Sequence, residues 1–231
     1  MALLDPNLEM IELVADSLGE LRNDLVFVGG CAAGLLLTEA RAQQTRPTKD
    51  VDLVAKVASL VGYRDLEQKF EAKGFKHDLR ANAPICRWTK NDLIVDLMTT
   101  DRLLGFENIW YESAFTHAIL YSLPSQNQIR LICAPHFIAT KLEAFHGRGN
   151  KDYIASHDLE DIISVVDARA GLIAECQQMG ISLSSYLANQ FGRLLNAREF
   201  VNSLPGHLPG DWASQQRLPM LIQKLQQLAA L

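Results

Sequence analysis

Apolar and polar positions follow two different patterns along the chain, and the first half carries strands mixed with helices. Residues 24–28 form a short apolar run that ends at Gly29 and Gly30, and good helix formers continue from Cys31 to Ala40. Glycines between such segments are typical of a turn, so we expect a strand, a glycine turn and a helix. Residues 50–54 are again largely apolar and predict a second strand.

The same periodicities predict the remaining elements. Asp5 and Pro6 precede an apolar stripe at helical spacing, which predicts a first helix at residues 6–22 with Asp5 as its N-cap. Further helices are expected at 59–73, closed by Gly74, and at 106–116, with strands at 75–79, 85–89, 93–98, 118–123 and 128–133. After residue 134 only helical patterns occur, at 135–147, 156–170, 171–179, 181–203 and 211–229.

This order of elements predicts an α+β fold, in which a mixed β-sheet flanked by helices precedes a helical C-terminal region. The chain has 231 residues, of which 48% are hydrophobic, so it can bury a sizeable core. The expected domains are residues 1–134 and residues 135–231.

The second predicted strand carries Asp50 and Asp52. Because side chains alternate across a strand, both carboxylates project from the same face. Two like charges at this separation repel each other unless a cation neutralises them, and oxygen ligands of this kind suit Mg²⁺. The alternative is a solvated strand edge with two surface aspartates, which is the commoner meaning of an isolated D-x-D pattern.

A third acidic position, Asp96, interrupts the apolar run LIVDLM. A carboxylate in a buried strand is costly unless a neighbouring group compensates its charge. One interpretation is an edge-strand residue that caps a turn. The other is that sheet pairing brings Asp96 beside Asp50 and Asp52, where it binds a second metal ion or accepts a proton.

The glycine turn is a candidate phosphate site. Gly29 and Gly30 let backbone N–H groups approach an anion closely, and a following helix would add the positive end of its dipole. Arg41, Arg46 and Lys49 lie between this turn and the aspartates. They are either a basic patch beside the site or ordinary solvated residues.

Two helical segments carry further charged candidates. Lys141 lies on an apolar background, where it either contacts a phosphate or extends its amine to water. Asp158 and Asp161 are three residues apart and share one helix face. Their alternative role is that of acids near a helix N-terminus.

Composition and cysteine spacing exclude several classes. The net charge of −5 excludes a broadly basic surface that coats nucleic acid, and no apolar run approaches about 20 residues, the length that spans a membrane. The N-terminal segment lacks the basic region of a signal peptide. The four cysteines show no C-x-x-C spacing, so we expect neither a zinc site nor a disulfide framework, but a reducing cytoplasm.

Several of these motifs together resemble a known superfamily. VGGCAAG, then RPTKDVDLV, then Asp96 in IVDLM is similar to the nucleotidyltransferase superfamily related to DNA polymerase beta. The downstream IATKLEAF and HDLEDII resemble one branch of it, the AbiEii-like toxins of toxin–antitoxin and abortive-infection systems. The resemblance extends over residues 24–168.

The resemblance implies roles for the residues that match it. Asp50, Asp52 and Asp96 would form a catalytic triad that holds Mg²⁺, as two ions, or alternatively Mn²⁺, and Lys141 would contact the triphosphate. Cys31 stands where the superfamily often has serine or threonine. The residues expected to bind the nucleotide are therefore Gly29, Gly30, Cys31, Lys49, Lys141, Asp158 and Asp161.

The expected activity is transfer of a nucleoside monophosphate (NMP) from a nucleoside triphosphate (NTP) to an acceptor hydroxyl. In the toxin-like interpretation the acceptor is RNA, tRNA or a protein, and an antitoxin protein is a further partner. The first alternative is a small-molecule nucleotidyltransferase of the antibiotic-modifying kind, with acidic residues around its acceptor. The second is a catalytically silent NTP-binding module, against which the complete triad argues.

Overall fold

The computed structural model describes residues 5–39, 45–105 and 107–231, which divide into two compact units. The sheet unit comprises residues 5–34, 46–105 and 107–133. The helical unit comprises residues 35–39, 45 and 134–231. Residues 35–39 belong to the helical unit because the backbone N–H groups of Thr38 and Glu39 both donate to the Ala168 carbonyl, at 3.0 and 2.9 Å.

The sheet unit is built on a mixed sheet, as the sequence predicts. Within the described residues the sheet has seven strands in the order β3-β4-β5-β2-β1-β7-β6. Strand β2 pairs in parallel with β5, and β1 with β7, whereas the other pairs are antiparallel. The strands are β1 Leu25–Val28, β2 Val51–Ala55, β3 Lys76–His77, β4 Arg87–Lys90, β5 Leu93–Thr99, β6 Ile119–Ser122 and β7 Gln128–Leu131.

The helices of the sheet unit are α1 Leu8–Leu18, α2 Leu60–Ala72 and α3 Tyr111–Thr116. Helix α2 follows its prediction closely, since Ser59 caps its start and Gly74 follows its end with a positive φ of 84°. Helix α1 is shorter than predicted. Its N-cap is Asn7 rather than Asp5, and a 3₁₀ segment, Gly19–Asp24, replaces its expected last turn.

The helix predicted after the glycine pair is wrong. Two short 3₁₀ turns, Gly30–Ala32 and Gly34–Leu36, stand where the sequence predicts one helix from Cys31 to Ala40. Glycine has a low helix propensity, and at Gly34 an added Cβ would lie 2.1 Å from Oδ2 of Asp5. This segment therefore contributes no extended helix dipole to the predicted phosphate site.

The helical unit contains no strand among its described residues, which agrees with the all-helical prediction. The expected helix at 181–203 is divided at Ala197, and the one at 211–229 is divided after Gln215. No helix in the described part of the chain combines the length and apolar character needed to cross a membrane. The helices are α4 Ala134–Arg148, α5 His157–Ala168, α6 Leu172–Gln178, α7 Ile181–Asn196, α8 Arg198–Ser203, α9 Trp212–Gln215 and α10 Leu218–Leu228.

Candidate active site

The strand register brings the three predicted carboxylates together in the sheet unit. Asp52 on β2 lies directly opposite Asp96 on the parallel strand β5, so both side chains emerge from the same face. Asp50 precedes Asp52 by two residues and shares that face. One nitrogen, Nη2 of Arg87, lies 2.7 Å from Oδ2 of Asp50 and 2.7 Å from Oδ2 of Asp96. The two carboxylate oxygens are therefore no more than twice that distance apart.

Gly29 forms the backbone corner next to Asp52. Strand β1 runs antiparallel to β2 with Val28 opposite Asp52, so the chain turns at Gly29 beside the Asp52 side chain. The φ and ψ angles of Gly29 are 70° and −169°, a region that only glycine occupies readily. A Cβ at this position would lie 1.7 Å from Oδ2 of Asp52. Glycine is required here both by the backbone angles and by the carboxylate.

We expect Gly29→Ala to destabilise the protein and to displace the Asp52 side chain. The backbone strain alone costs on the order of 1–3 kcal/mol, and the clash with Asp52 adds to it. Urea unfolding measures the loss. Gly147→Ala is the matched control, because an added Cβ in this helical position meets nothing within 4 Å. Wild-type stability of Gly29→Ala would contradict the close approach of Asp52.

Arg87 is a member of this cluster that the sequence analysis missed. It lies on β4 directly opposite Asp96, and its Nε donates to Oδ1 of Asp96 at 2.8 Å while Nη2 donates to Oδ2. The hydrogen bonds and charge of Asp96, with the charge of Asp50, raise the pKa of Arg87 above its usual range despite partial burial. The Arg87, Asp50 and Asp96 side chains are 22, 30 and 11% exposed. The guanidinium is thus a permanent cation within a half-buried acidic cluster.

The hairpin turn carried a signal that could have found Arg87. Asn91 has a φ of 53°, and asparagine is favoured in the tight two-residue turns that join antiparallel strands. A turn centred on Asn91 and Asp92 pairs Lys90 with Leu93, and counting outward pairs Arg87 with Asp96. The register therefore follows from the turn residues.

The carboxylate cluster has the donor chemistry of a magnesium site, but a guanidinium lies within it. Three carboxylates offer the oxygen ligands that Mg²⁺ prefers. Within the described ranges, however, no group of three His, Cys, Asp or Glu side chains is arranged to hold a metal ion. The oxygens that Asp50 and Asp96 turn toward each other are bonded to Arg87. The carboxylates are therefore suitable ligands for Mg²⁺, but the Arg87 guanidinium must move before the ion can bind them.

A buried asparagine anchors the segment that leads to Asp50. Asn7 is 1% exposed, and its side-chain amide donates to the Arg46 carbonyl at 3.0 Å and accepts from the Thr48 N–H at 2.7 Å. The Thr48 hydroxyl lies 3.1 Å from the carbonyl of Asp50. The start of α1 therefore positions the approach to the cluster, and Lys49 projects from this segment as an exposed residue.

The predicted nucleotide contacts of Gly30 and Cys31 stay predictions. Cys31 is completely buried, and its thiol donates to the Val28 carbonyl at 3.2 Å. Gly30 is buried beside it. Arg41, a residue of the predicted basic patch, lies outside the described residues.

Lys141, Asp158 and Asp161 form a buried ion network in the helical unit. The Lys141 amine on α4 lies 3.1 Å from Oδ1 of Asp158 and 2.7 Å from Oδ2 of Asp161, both on α5. Arg148 adds a two-bond contact to Asp158 at 2.9 and 2.8 Å. Lys141 is only 5% exposed, so its amine does not extend to water. The network joins α4 to α5, and a contact between Lys141 and a triphosphate remains a prediction.

This network predicts a loss of stability in acid. Burial acts to raise the pKa of Asp158, but the cations of Arg148 and Lys141 outweigh it and the pKa is lowered. A carboxyl with a lower pKa in the folded state stabilises the fold above its unfolded pKa of about 3.9 and loses this contribution below it. We expect the free energy of unfolding to fall more steeply below about pH 4 in the wild type than in Asp158→Asn. Urea unfolding of both proteins at several pH values around and below pH 4 measures this difference. The same pH dependence in the wild type and in Asp158→Asn would contradict the prediction.

Comparison with known proteins identifies the fold. No protein-family model matches the chain, and no curated protein sequence matches it. The structure is similar to the crystal structure of an antigenic nucleotidyltransferase-like protein from Paracoccidioides brasiliensis, with a TM-score of 0.52 and 17% identity over 88% of this chain and 94% of that one. The fold is nucleotidyltransferase-like. The solution structure of the antibiotic-resistance factor ANT(2″)-Ia also matches, with a TM-score of 0.45 and 14% identity over 82% of this chain and 95% of that one.

The matches concern the fold, whereas the resemblance found in the sequence also names a superfamily and its AbiEii-like branch. The mixed sheet flanked by helices is confirmed. The superfamily predicted from the glycine turn and the three aspartates stays a prediction. At 17% identity the match concerns the fold. The AbiEii-like branch, drawn from the IATKLEAF and HDLEDII segments, stays a prediction.

Proposed function

We propose that this protein is a metal-dependent nucleotidyltransferase that transfers NMP from an NTP to an acceptor hydroxyl. The observation that carries the proposal is the convergence of Asp50, Asp52 and Asp96 at the Gly29 corner of a nucleotidyltransferase-like fold. Three carboxylates on one half-buried face are electrostatically unfavourable without cations. A site of this kind is suited to a substrate that arrives with divalent ions and a polyphosphate.

The transfer balances as a single displacement. The acceptor oxygen forms a bond to the α-phosphorus, the bond from this phosphorus to the bridging oxygen breaks, and pyrophosphate leaves. In this proposal Asp50, Asp52 and Asp96 would hold the divalent ions, and Asp96 would also accept the proton of the attacking hydroxyl after the Arg87 guanidinium has moved away from it. Bound Mg²⁺ supplies charge neutralisation at the attacking and leaving oxygens. Backbone N–H groups at Gly29 and Gly30 would orient the phosphates, because glycine lets the backbone approach them closely.

The acceptor we propose is RNA, tRNA or a protein, in a toxin-like role with an antitoxin partner. The support is the resemblance of the α4 and α5 segments to the AbiEii-like branch and the exposed Lys49 beside Asp50. The small-molecule alternative needs acidic residues available to a cationic acceptor. Glu143, Asp158, Glu160 and Asp161 could supply them. Lys141 and Arg148 already neutralise Asp158 and Asp161, whereas Glu143 contacts Tyr186 and Glu160 contacts His157.

A labelled-NTP assay tests both the reaction and the acceptor. Each NTP, labelled at the α-phosphate, is incubated with Mg²⁺ and either bulk tRNA, a protein extract, a mixture of aminoglycosides and lincosamides, or no acceptor. We expect label in the tRNA or protein fraction. Label in the antibiotic fraction would replace the toxin-like acceptor by the small-molecule one, and no label in any arm would contradict nucleotidyl transfer.

A further inference from the structure

Arg87 occupies the position between two of the carboxylates that the proposed reaction needs. Its Nη2 bonds Asp50 and Asp96 at once, and its Nε closes a two-bond contact with Asp96. These are charge-assisted bonds in the parallel geometry that arginine and carboxylate form best. Both Asp96 oxygens are therefore engaged by one side chain.

A divalent ion cannot share these oxygens with the guanidinium. Mg²⁺ binds oxygen ligands at about 2.0–2.1 Å and demands a regular octahedral arrangement. A nitrogen 2.7 Å from one oxygen of each acid lies in the space that a bridging ion would fill. Two cations at such a separation also repel each other strongly in a half-buried site.

We propose that Arg87 is a built-in counter-ion that competes with the divalent cation for Asp50 and Asp96. This inference rests on the proposed function and concerns the same site. The guanidinium keeps the acidic cluster neutralised and ordered, and a divalent cation binds both acids only when Arg87 swings away. The apparent metal affinity is thereby the intrinsic affinity multiplied by the fraction of molecules in which Arg87 has left the two acids.

The competition makes metal binding dependent on the nucleotide. A triphosphate brings negative charge that neutralises part of the divalent ion and also offers the displaced guanidinium a new partner. Metal and NTP together therefore displace Arg87 more readily than metal alone. The consequence is a site that loads its ions with substrate rather than before it.

Mn²⁺ binding without nucleotide, followed by electron paramagnetic resonance of the free ion, tests the competition. We expect Arg87→Gln to bind Mn²⁺ about tenfold more tightly than the wild type, because the competitor is gone. Arg87→Lys keeps a charge on β4 without the two-bond geometry, so its gain should be smaller. Arg80→Gln is the matched control, since Arg80 makes a similar contact to Asp78 outside the cluster, and its affinity should equal that of the wild type.

A second measurement covers the case in which Arg87→Gln fails to fold. In the wild type, the Nε–H resonance of Arg87 should shift as Mg²⁺ is added, because its bond to Asp96 breaks. The proposal is overturned if Mn²⁺ binds the folded Arg87 variants no more tightly than the wild type, or if this resonance stays unchanged while the ion binds.

These outcomes are separable from those of the proposed function, because neither measurement needs turnover of an NTP. Tighter Mn²⁺ binding by Arg87→Gln, without NMP transfer by the wild type, would refute the nucleotidyltransferase and support the competition. NMP transfer with an unaltered Mn²⁺ affinity of Arg87→Gln would refute the competition alone.

Discussion

Asp52→Asn should lower the rate of NMP transfer by on the order of 10³-fold or more while leaving the fold intact. Asn has the shape of Asp, so it fits beside Gly29 and opposite Asp96 without a new clash. It carries no charge, however, and cannot hold a divalent ion as a carboxylate does. The loss should therefore appear in turnover at saturating NTP and Mg²⁺ rather than in the amount of folded protein.

Two further variants of the sheet unit accompany this prediction. Asp50→Asn should cause a loss of similar order, whereas Asp92→Asn, at the exposed turn between β4 and β5, should retain wild-type turnover. Urea unfolding should place all three variants within about 1 kcal/mol of the wild type. Full turnover in both Asp50→Asn and Asp52→Asn would show that these acids do not carry the reaction.

Lys141→Met should destabilise the protein by about 3–5 kcal/mol, the cost of removing one partner from a buried ion network. The substitution preserves much of the apolar stem but leaves Asp161 without the amine that lies 2.7 Å from it. Arg148 still neutralises Asp158, so the penalty arises mainly at Asp161. Urea unfolding of the whole chain measures the loss.

Two further variants distinguish this network from a general effect of charge. Arg193→Met removes an exposed cation from α7 and should change stability by less than about 0.5 kcal/mol. Adding Asp161→Asn to Lys141→Met removes the carboxylate that has lost the Lys141 amine and should restore part of the lost stability. Equal stability of Lys141→Met and the wild type would contradict a structural role. The nucleotide affinity of Lys141→Met is compared with that of the wild type under conditions in which both proteins are folded.

The sequence predicted the shared face of Asp50 and Asp52, and a buried strand around Asp96, because strand periodicity is strict. The D-x-D spacing places Asp50 and Asp52 on one face, and the apolar run around Asp96 marks a buried strand. What remained was the pairing of β2 with β5. That pairing joins segments more than forty residues apart, and the residues alone left it as one of two interpretations of Asp96.

Other features depend on contacts that local patterns do not encode. The turn segment after Gly30 contains helix formers, yet Gly34 lies against the Asp5 carboxylate and the helix does not form. Nothing in the sequence distinguishes Asn7 from other residues before a helix, yet its side-chain amide bonds the Arg46 carbonyl and the Thr48 N–H. Long-range contacts override intrinsic propensity at such positions.

The central claim is that the Asp50, Asp52 and Asp96 cluster transfers NMP rather than another part of the NTP. Parallel reactions with α-labelled and γ-labelled NTP, in Mg²⁺ and with the acceptor that the labelled-NTP assay identifies, test it most directly. We expect the wild type to transfer the α label to the acceptor and to release the γ label in pyrophosphate. Asp52→Asn should neither label the acceptor nor release pyrophosphate. Entry of the γ label into the acceptor would show phosphoryl transfer and contradict the account.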